Sequence, residues 1–124
     1  MLKLTSIMLN SEDPQALADF YGKVLDKKPG WEDGGFHGFD AGGFYIMVGP
    51  HDKVHGKAQN PERILFFFET EDVKGEFERI KGLGAEVVAE PDKPGGGAGD
   101  EMWLATLADP DGNYFQLASP MPEM

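Results

Sequence analysis

The chain has 124 residues, 40% of them hydrophobic, with 22 acidic and 11 basic side chains and a net charge of −11. That length suits one domain, or two small half-domains sharing a core. The acidic balance argues against nucleic acid and anionic membranes as partners, and the lack of cysteine excludes disulfides, thiolate ligands and a Cys nucleophile. No apolar run is long enough to span a bilayer and no basic-then-apolar start resembles a signal peptide, so a cytoplasmic protein is expected.

In chain order, Leu2 to Leu9 reads as a strand. Asp13 has the character of an N-cap, with Pro14 at the first helical position. Leu17, Phe20, Tyr21, Val24 and Leu25 then form one apolar helical face. Asp26 suits the left-handed stop that glycine usually fills. Three short segments follow between glycines, Pro29–Glu32, Phe36–Asp40 and Phe44–Val48, and read as a strand meander. Gly49 to Pro61 is polar and reads as a linker.

Arg63 to Thr70 is a strand whose Ile64-Leu65-Phe66-Phe67-Phe68 run is apolar on both faces, which predicts a central position. Asp72 repeats the N-cap signal. Val73, Phe77 and Ile80 make a second apolar stripe, Lys81 sits near its end, and Gly84 stops it. Ala85 to Glu90 and Met102 to Leu107 are strands, separated by a glycine-rich loop from Lys93 to Asp100. Asp109-Pro110-Asp111-Gly112-Asn113 is a tight turn feeding the last strand. On that strand Phe115 and Leu117 point to one face, Tyr114 and Gln116 to the other.

The chain repeats itself. Ser11-Glu12-Asp13 corresponds to Thr70-Glu71-Asp72, and Gly43-Phe44-Tyr45-Ile46-Met47 to Gly112-Asn113-Tyr114-Phe115-Gln116. From Asp13 to Asp72 the offset is 59 residues. Each half reads strand, helix, three strands, which predicts two paired modules at about 1–52 and 61–120 around a linker at about 53–60.

With Asp13-Pro14 to Phe20-Tyr21, Glu71-Asp72-Val73 to Gly84-Ala85-Glu86-Val87-Val88, and Asp109 to Asn113 in this order, the chain resembles the vicinal oxygen chelate superfamily, the glyoxalase/bleomycin-resistance/dioxygenase group. The resemblance covers nearly the whole chain. It implies an α+β fold of two paired β-α-β-β-β modules whose curved mixed sheet forms a cup around a ligand or metal. It also implies a homodimer. The family's metal-ligand positions fall on Ser6, Met47, Leu65 and Gln116. Leucine cannot ligate, a thioether is soft, a serine hydroxyl is weak, and Gln116 stands where many metal-binding relatives carry glutamate.

No metal and no cofactor is therefore expected. His51 and His55 are four apart, but Pro50 and Gly56 flank them, and two ligands rarely suffice. His37 reads as a polar wall residue of the cup. Trp31, Phe36, Phe39, Tyr45, Trp103 and Tyr114 fall on or beside the meander strands, where they either line an apolar cup or fill the core. The ligand-binding residues expected are Ser6, His37, Tyr45, Met47, Leu65, Trp103, Tyr114 and Gln116, holding a small organic molecule; no catalytic residue is assigned. The alternative is a glyoxalase-like lyase or isomerase, or a ring-cleaving dioxygenase, with an atypical metal site.

Overall fold

The computed structural model describes residues 1–93 and 102–120. The chain divides into two compact units, Met1–Lys57 and Ala58–Met124, and the break falls inside the polar stretch between the repeats. The first unit holds β1 (Ser6–Ser11), α1 (Pro14–Leu25), β2 (Trp31–Asp33), β3 (Phe36–Asp40) and β4 (Tyr45–Pro50). The second holds β5 (Phe66–Glu69), α2 (Val73–Gly82), β6 (Glu86–Asp92), β7 (Leu104–Ala108) and β8 (Tyr114–Ala118). The fold is α+β, with two β-α-β-β-β modules, each carrying one mixed four-stranded sheet. The strand orders are β1-β4-β3-β2 and β5-β8-β7-β6, and neither sheet closes on itself.

The repeat is visible in the caps. Asp13 accepts from Ala16 N–H at 3.2 Å, while Ser11 Oγ accepts from Asp13 N–H at 2.9 Å. Fifty-nine residues on, Asp72 accepts from Gly75 N–H at 2.9 Å and Thr70 Oγ1 accepts from Asp72 N–H at 3.0 Å. Each carboxylate satisfies a donor that the first helical turn leaves without an intrahelical partner. Asp26 ends α1 in the left-handed region (φ 54°), and Gly84 follows α2 at φ 98°. α1 buries Leu17, Phe20, Tyr21 and Val24; α2 buries Val73, Phe77 and Ile80. Each such side chain contributes roughly 1.5–3 kcal/mol of hydrophobic stabilisation.

In each sheet the first and last strands of the module run parallel, β1 beside β4 and β5 beside β8. The helix provides the crossover between them. Against α1 lie Phe39, Ile46 and Val48, all buried. On the α2 side of the second sheet, Phe66, Phe68 and Phe115 form an aromatic cluster with centroids 5.6–6.1 Å apart.

β1 and β5 are the predicted strands shortened most. β1 begins at Ser6, not Leu2, because its partner β4 begins at Tyr45; Leu2 and Leu4 are exposed. β5 covers only four residues and is not central: it pairs with β8 alone and forms an edge of its sheet. Its start is set by a 3₁₀ turn at Pro61–Arg63, and Phe67 is 51% exposed. The glycine-rich loop expected after Lys93 lies outside the described residues. Among the described residues no helix is long and apolar enough to cross a membrane.

Candidate functional site

The turn before β8 orients the second unit's candidate residues. Asp109, 5% exposed, accepts at Oδ1 from the N–H groups of Asp111 (2.9 Å) and Asn113 (3.0 Å), and at Oδ2 from Asn113 Nδ2 (2.9 Å). Gly112 takes φ 79°, which this turn requires and which a side chain would oppose. The turn closes the β7–β8 hairpin with Ala108 opposite Tyr114. Counting back two residues on β7 and forward two on β8 places Thr106 opposite Gln116. Side chains alternate along a strand, so both lie on the face turned away from α2, opposite the buried Phe115 and Leu117. Gln116 Nε2 donates to Thr106 Oγ1 at 3.1 Å. Phe67 of β5 is the register partner of Gln116 on its other side. Tyr114, half-buried, stands two residues along the same face.

The first unit presents an equivalent face turned away from α1. Met47 stands between Met8 on β1 and Gly38 on β3, and Trp31 of β2 is the partner of Gly38. Gly38 leaves room for its neighbours: a Cβ there would sit 3.1 Å from Met47 Sδ and 3.6 Å from the Trp31 ring. The exposed Tyr45 and Ser6 pair with each other across β1 and β4 at the end of this face. The result is a thioether and aromatic surface with Met8, Trp31 and Tyr45 each more than two-fifths exposed.

Of the eight residues expected at the site, Ser6, Tyr45 and Met47 share the face of the first sheet, and Tyr114 and Gln116 that of the second. Leu65 lies one residue before β5 and is 37% exposed. His37 and Trp103 are not on these faces. His37 pairs with Val48, so it lies buried on the α1 side, with Nδ1 2.9 Å from Glu32 Oε2 but without hydrogen-bond alignment. Trp103 precedes β7 with the parity of the buried Ala105 and Leu107, and its ring lies beneath Lys74 Nζ of α2 at 4.1 Å and Lys93 Nζ at 5.1 Å. Phe39, another expected cup aromatic, is fully buried on the helix side. In each case alternation from the true register decides the face, and strand propensity carries no register.

Trp31 was expected as one of the aromatics of cup or core; Thr106, Met8 and Phe67 were not expected. Thr106 was within reach of the sequence, because the turn at Asp109–Asn113 fixes the hairpin pairing. The others depend on non-local ladders.

The residues directly across from Met47 and Gln116 are Met8 and Phe67, as apolar as the Leu65 that the resemblance indicates. Among the described residues no three His, Cys, Asp or Glu side chains converge. His51 instead lies 3.4 Å from Asp52 and accepts from Lys53 N–H. His55 Nδ1 lies 3.2 Å from Glu12 Oε2, and this bond, followed by one from Gly56 N–H, holds the Glu12 carboxyl below its ordinary value. The Asp109 carboxylate is already occupied by the turn. Among the described residues, the side chains at these positions do not fit a divalent metal. A groove of about 580 Å³ elsewhere on the first unit runs along α1 between Gln15 and Glu32, with lysines and carboxylates in equal mixture and none of the exposed aromatics.

Residues 6–118 match the family model of the glyoxalase-like domain. No curated protein matches the chain in sequence. Solved structures do. A glyoxalase-related enzyme from Fulvimarina pelagi superposes with a TM-score of 0.78 at 19% identity, over 97% of this chain and 89% of that one. A glyoxalase/bleomycin resistance protein/dioxygenase family enzyme from Burkholderia phytofirmans PsJN gives 0.77 at 19% identity, over 97% and 100%. The fosfomycin resistance protein FosX from Listeria monocytogenes gives 0.65 at 19% identity, over 98% and 93%.

Proposed function

The chain belongs to the glyoxalase-like domain family, and from that premise we propose that it binds a small organic molecule, in the manner of bleomycin-resistance-like sequestration, without a bound metal. One observation carries this reading. The strand positions where metal-binding relatives place imidazole and carboxylate hold Ser6, Met47, Leu65 and Gln116, and the register neighbours Met8 and Phe67 add no donor. A hard cation must find several oxygen or imidazole ligands to replace its hydration shell. Two weak neutral donors do not outcompete water. The same positions suit an organic ligand, since exposed aromatic and thioether side chains surround a few oriented polar groups.

The test is metal analysis of the purified full chain, together with mass spectrometry of organic molecules released on denaturation. Substoichiometric Ni, Zn, Mn and Fe with a released organic compound is the expected result. A stoichiometric metal that is lost in Gln116→Ala would overturn the reading and favour a lyase, isomerase or dioxygenase.

We propose further that the protein works as a homodimer. β1 and β5 each leave one edge unpaired within their own sheet, and Leu2, Leu4 and Ile64 beside them are at least three-quarters exposed. Such edges invite a covering partner. Sedimentation equilibrium at micromolar concentration should return twice the 13.6 kDa chain mass; a clean monomer would count against it.

A further inference from the structure

The described strands carry no lysine or arginine. In the second unit the cations all lie elsewhere. Lys74 and Lys93 sit over the Trp103 ring on the α2 side, Arg79 pairs with Glu76 along α2, Lys81 stands in its last turn, and Arg63 is in the turn before β5. Carboxylates are on the strands instead. Register places Glu69 opposite Ala118, Glu86 opposite Ala108 and Asp92 opposite Leu104, all on the face that bears Gln116. An anion brought to this face would lose hydration without meeting a strand cation, whereas an ammonium group would be attracted.

Gln116 sharpens the selection. Its amide nitrogen is turned to Thr106 Oγ1 at 3.1 Å, and Thr106 is 9% exposed, so the contact is shielded and the amide orientation held. Carbonyl Oε1 makes no hydrogen bond among the described residues, and a carbonyl oxygen only accepts. From this we infer that the second unit's face selects an uncharged or cationic organic ligand bearing an N–H or O–H donor, received by Gln116 Oε1, with Thr106 as the positioning residue. The inference rests on the small-molecule reading above and narrows it by ligand class.

Three probes sharing one ring system test it on the full chain: 2-naphthylmethylammonium, 2-naphthamide and 2-naphthoate, titrated while the Gln116 side-chain amide is followed by NMR. The ammonium and the carboxamide should bind about tenfold more tightly than the carboxylate. Thr106→Val should weaken both by about three- to tenfold, while Thr106→Ser, which keeps the hydroxyl, should restore binding. Gln116→Glu should raise the preference for the ammonium over the carboxamide. Tightest binding of naphthoate would overturn the inference and leave the small-molecule reading standing, as would equal affinities of the Val and Ser variants. If none of the probes moves the Gln116 amide at millimolar concentration, both readings fall for this face.

Discussion

Asp109 holds Asn113 twice, accepting the backbone N–H at Oδ1 and the side-chain amide at Oδ2, and so closes the turn that sets the β7–β8 register. A buried carboxylate with several donors converging on it is expensive to remove, because each donor is left without an acceptor. Asp109→Ala should cost about 2–3 kcal/mol of stability. Asp109→Asn keeps one acceptor and should cost less. Urea denaturation of the two variants checks the ranking, and equal midpoints would contradict it.

The two N-caps should behave alike. Asp13→Ala and Asp72→Ala each remove one carboxylate acceptor from the first turn of a helix, Asp13 from Ala16 N–H and Asp72 from Gly75 N–H. Each should lose about 1 kcal/mol. Thermal melts of the single variants would show the similarity, and a loss confined to one cap would mean that the repeat is not matched in energy.

Gly49 sits against Phe36, and a Cβ there would collide with the ring. Gly49→Ala should therefore destabilise the first unit by about 1–3 kcal/mol, the usual cost of overpacking. Gly38→Ala is milder, since the nearest atom is the end of the flexible Met47 side chain. Its main expected effect is a shift in Trp31 fluorescence, measured in a Trp103→Phe background so that one indole reports. No spectral change would argue that Trp31 does not rest against Gly38.

Gln116→Ala should weaken binding of the copurified organic ligand by roughly 1–2 kcal/mol with little change in fold, as the loss of one shielded hydrogen bond predicts. Calorimetry on the stripped protein, with near-ultraviolet circular dichroism as the fold control, separates the two effects. Unchanged affinity would remove Gln116 from the site.

Glu12 makes a local pH dependence predictable. Its carboxyl is held below the ordinary 4.5 by hydrogen bonds from His55 and then Gly56. A carboxyl with a lowered folded value favours the anchored loop above the ordinary value, and this contribution is lost as pH falls through the folded value. The Glu12 step in the Gly56 amide resonance should thus have its midpoint below 4.5. In Glu12→Gln that titration should vanish. A Gly56 resonance that titrates identically in the variant would break the link.

Local chemistry made much of this molecule legible in the sequence. Asp13 and Asp72, 59 residues apart, mark both helix starts, because a cap is made within three residues of itself. The Asp109–Asn113 turn and the split between Phe115–Leu117 and Tyr114–Gln116 are equally local, and they put Gln116 on the correct face. Pairing is different. Whether β5 is central or an edge, and whether Trp103 and His37 face a ligand or a helix, depends on which distant strand supplies the hydrogen bonds and at what register. A slip of one residue reverses every side chain, and nothing within the strand itself records the slip. Only the tertiary ladders set Met8 beside Met47 and Phe67 beside Gln116, since each pair joins the first and last strands of a module across its helix.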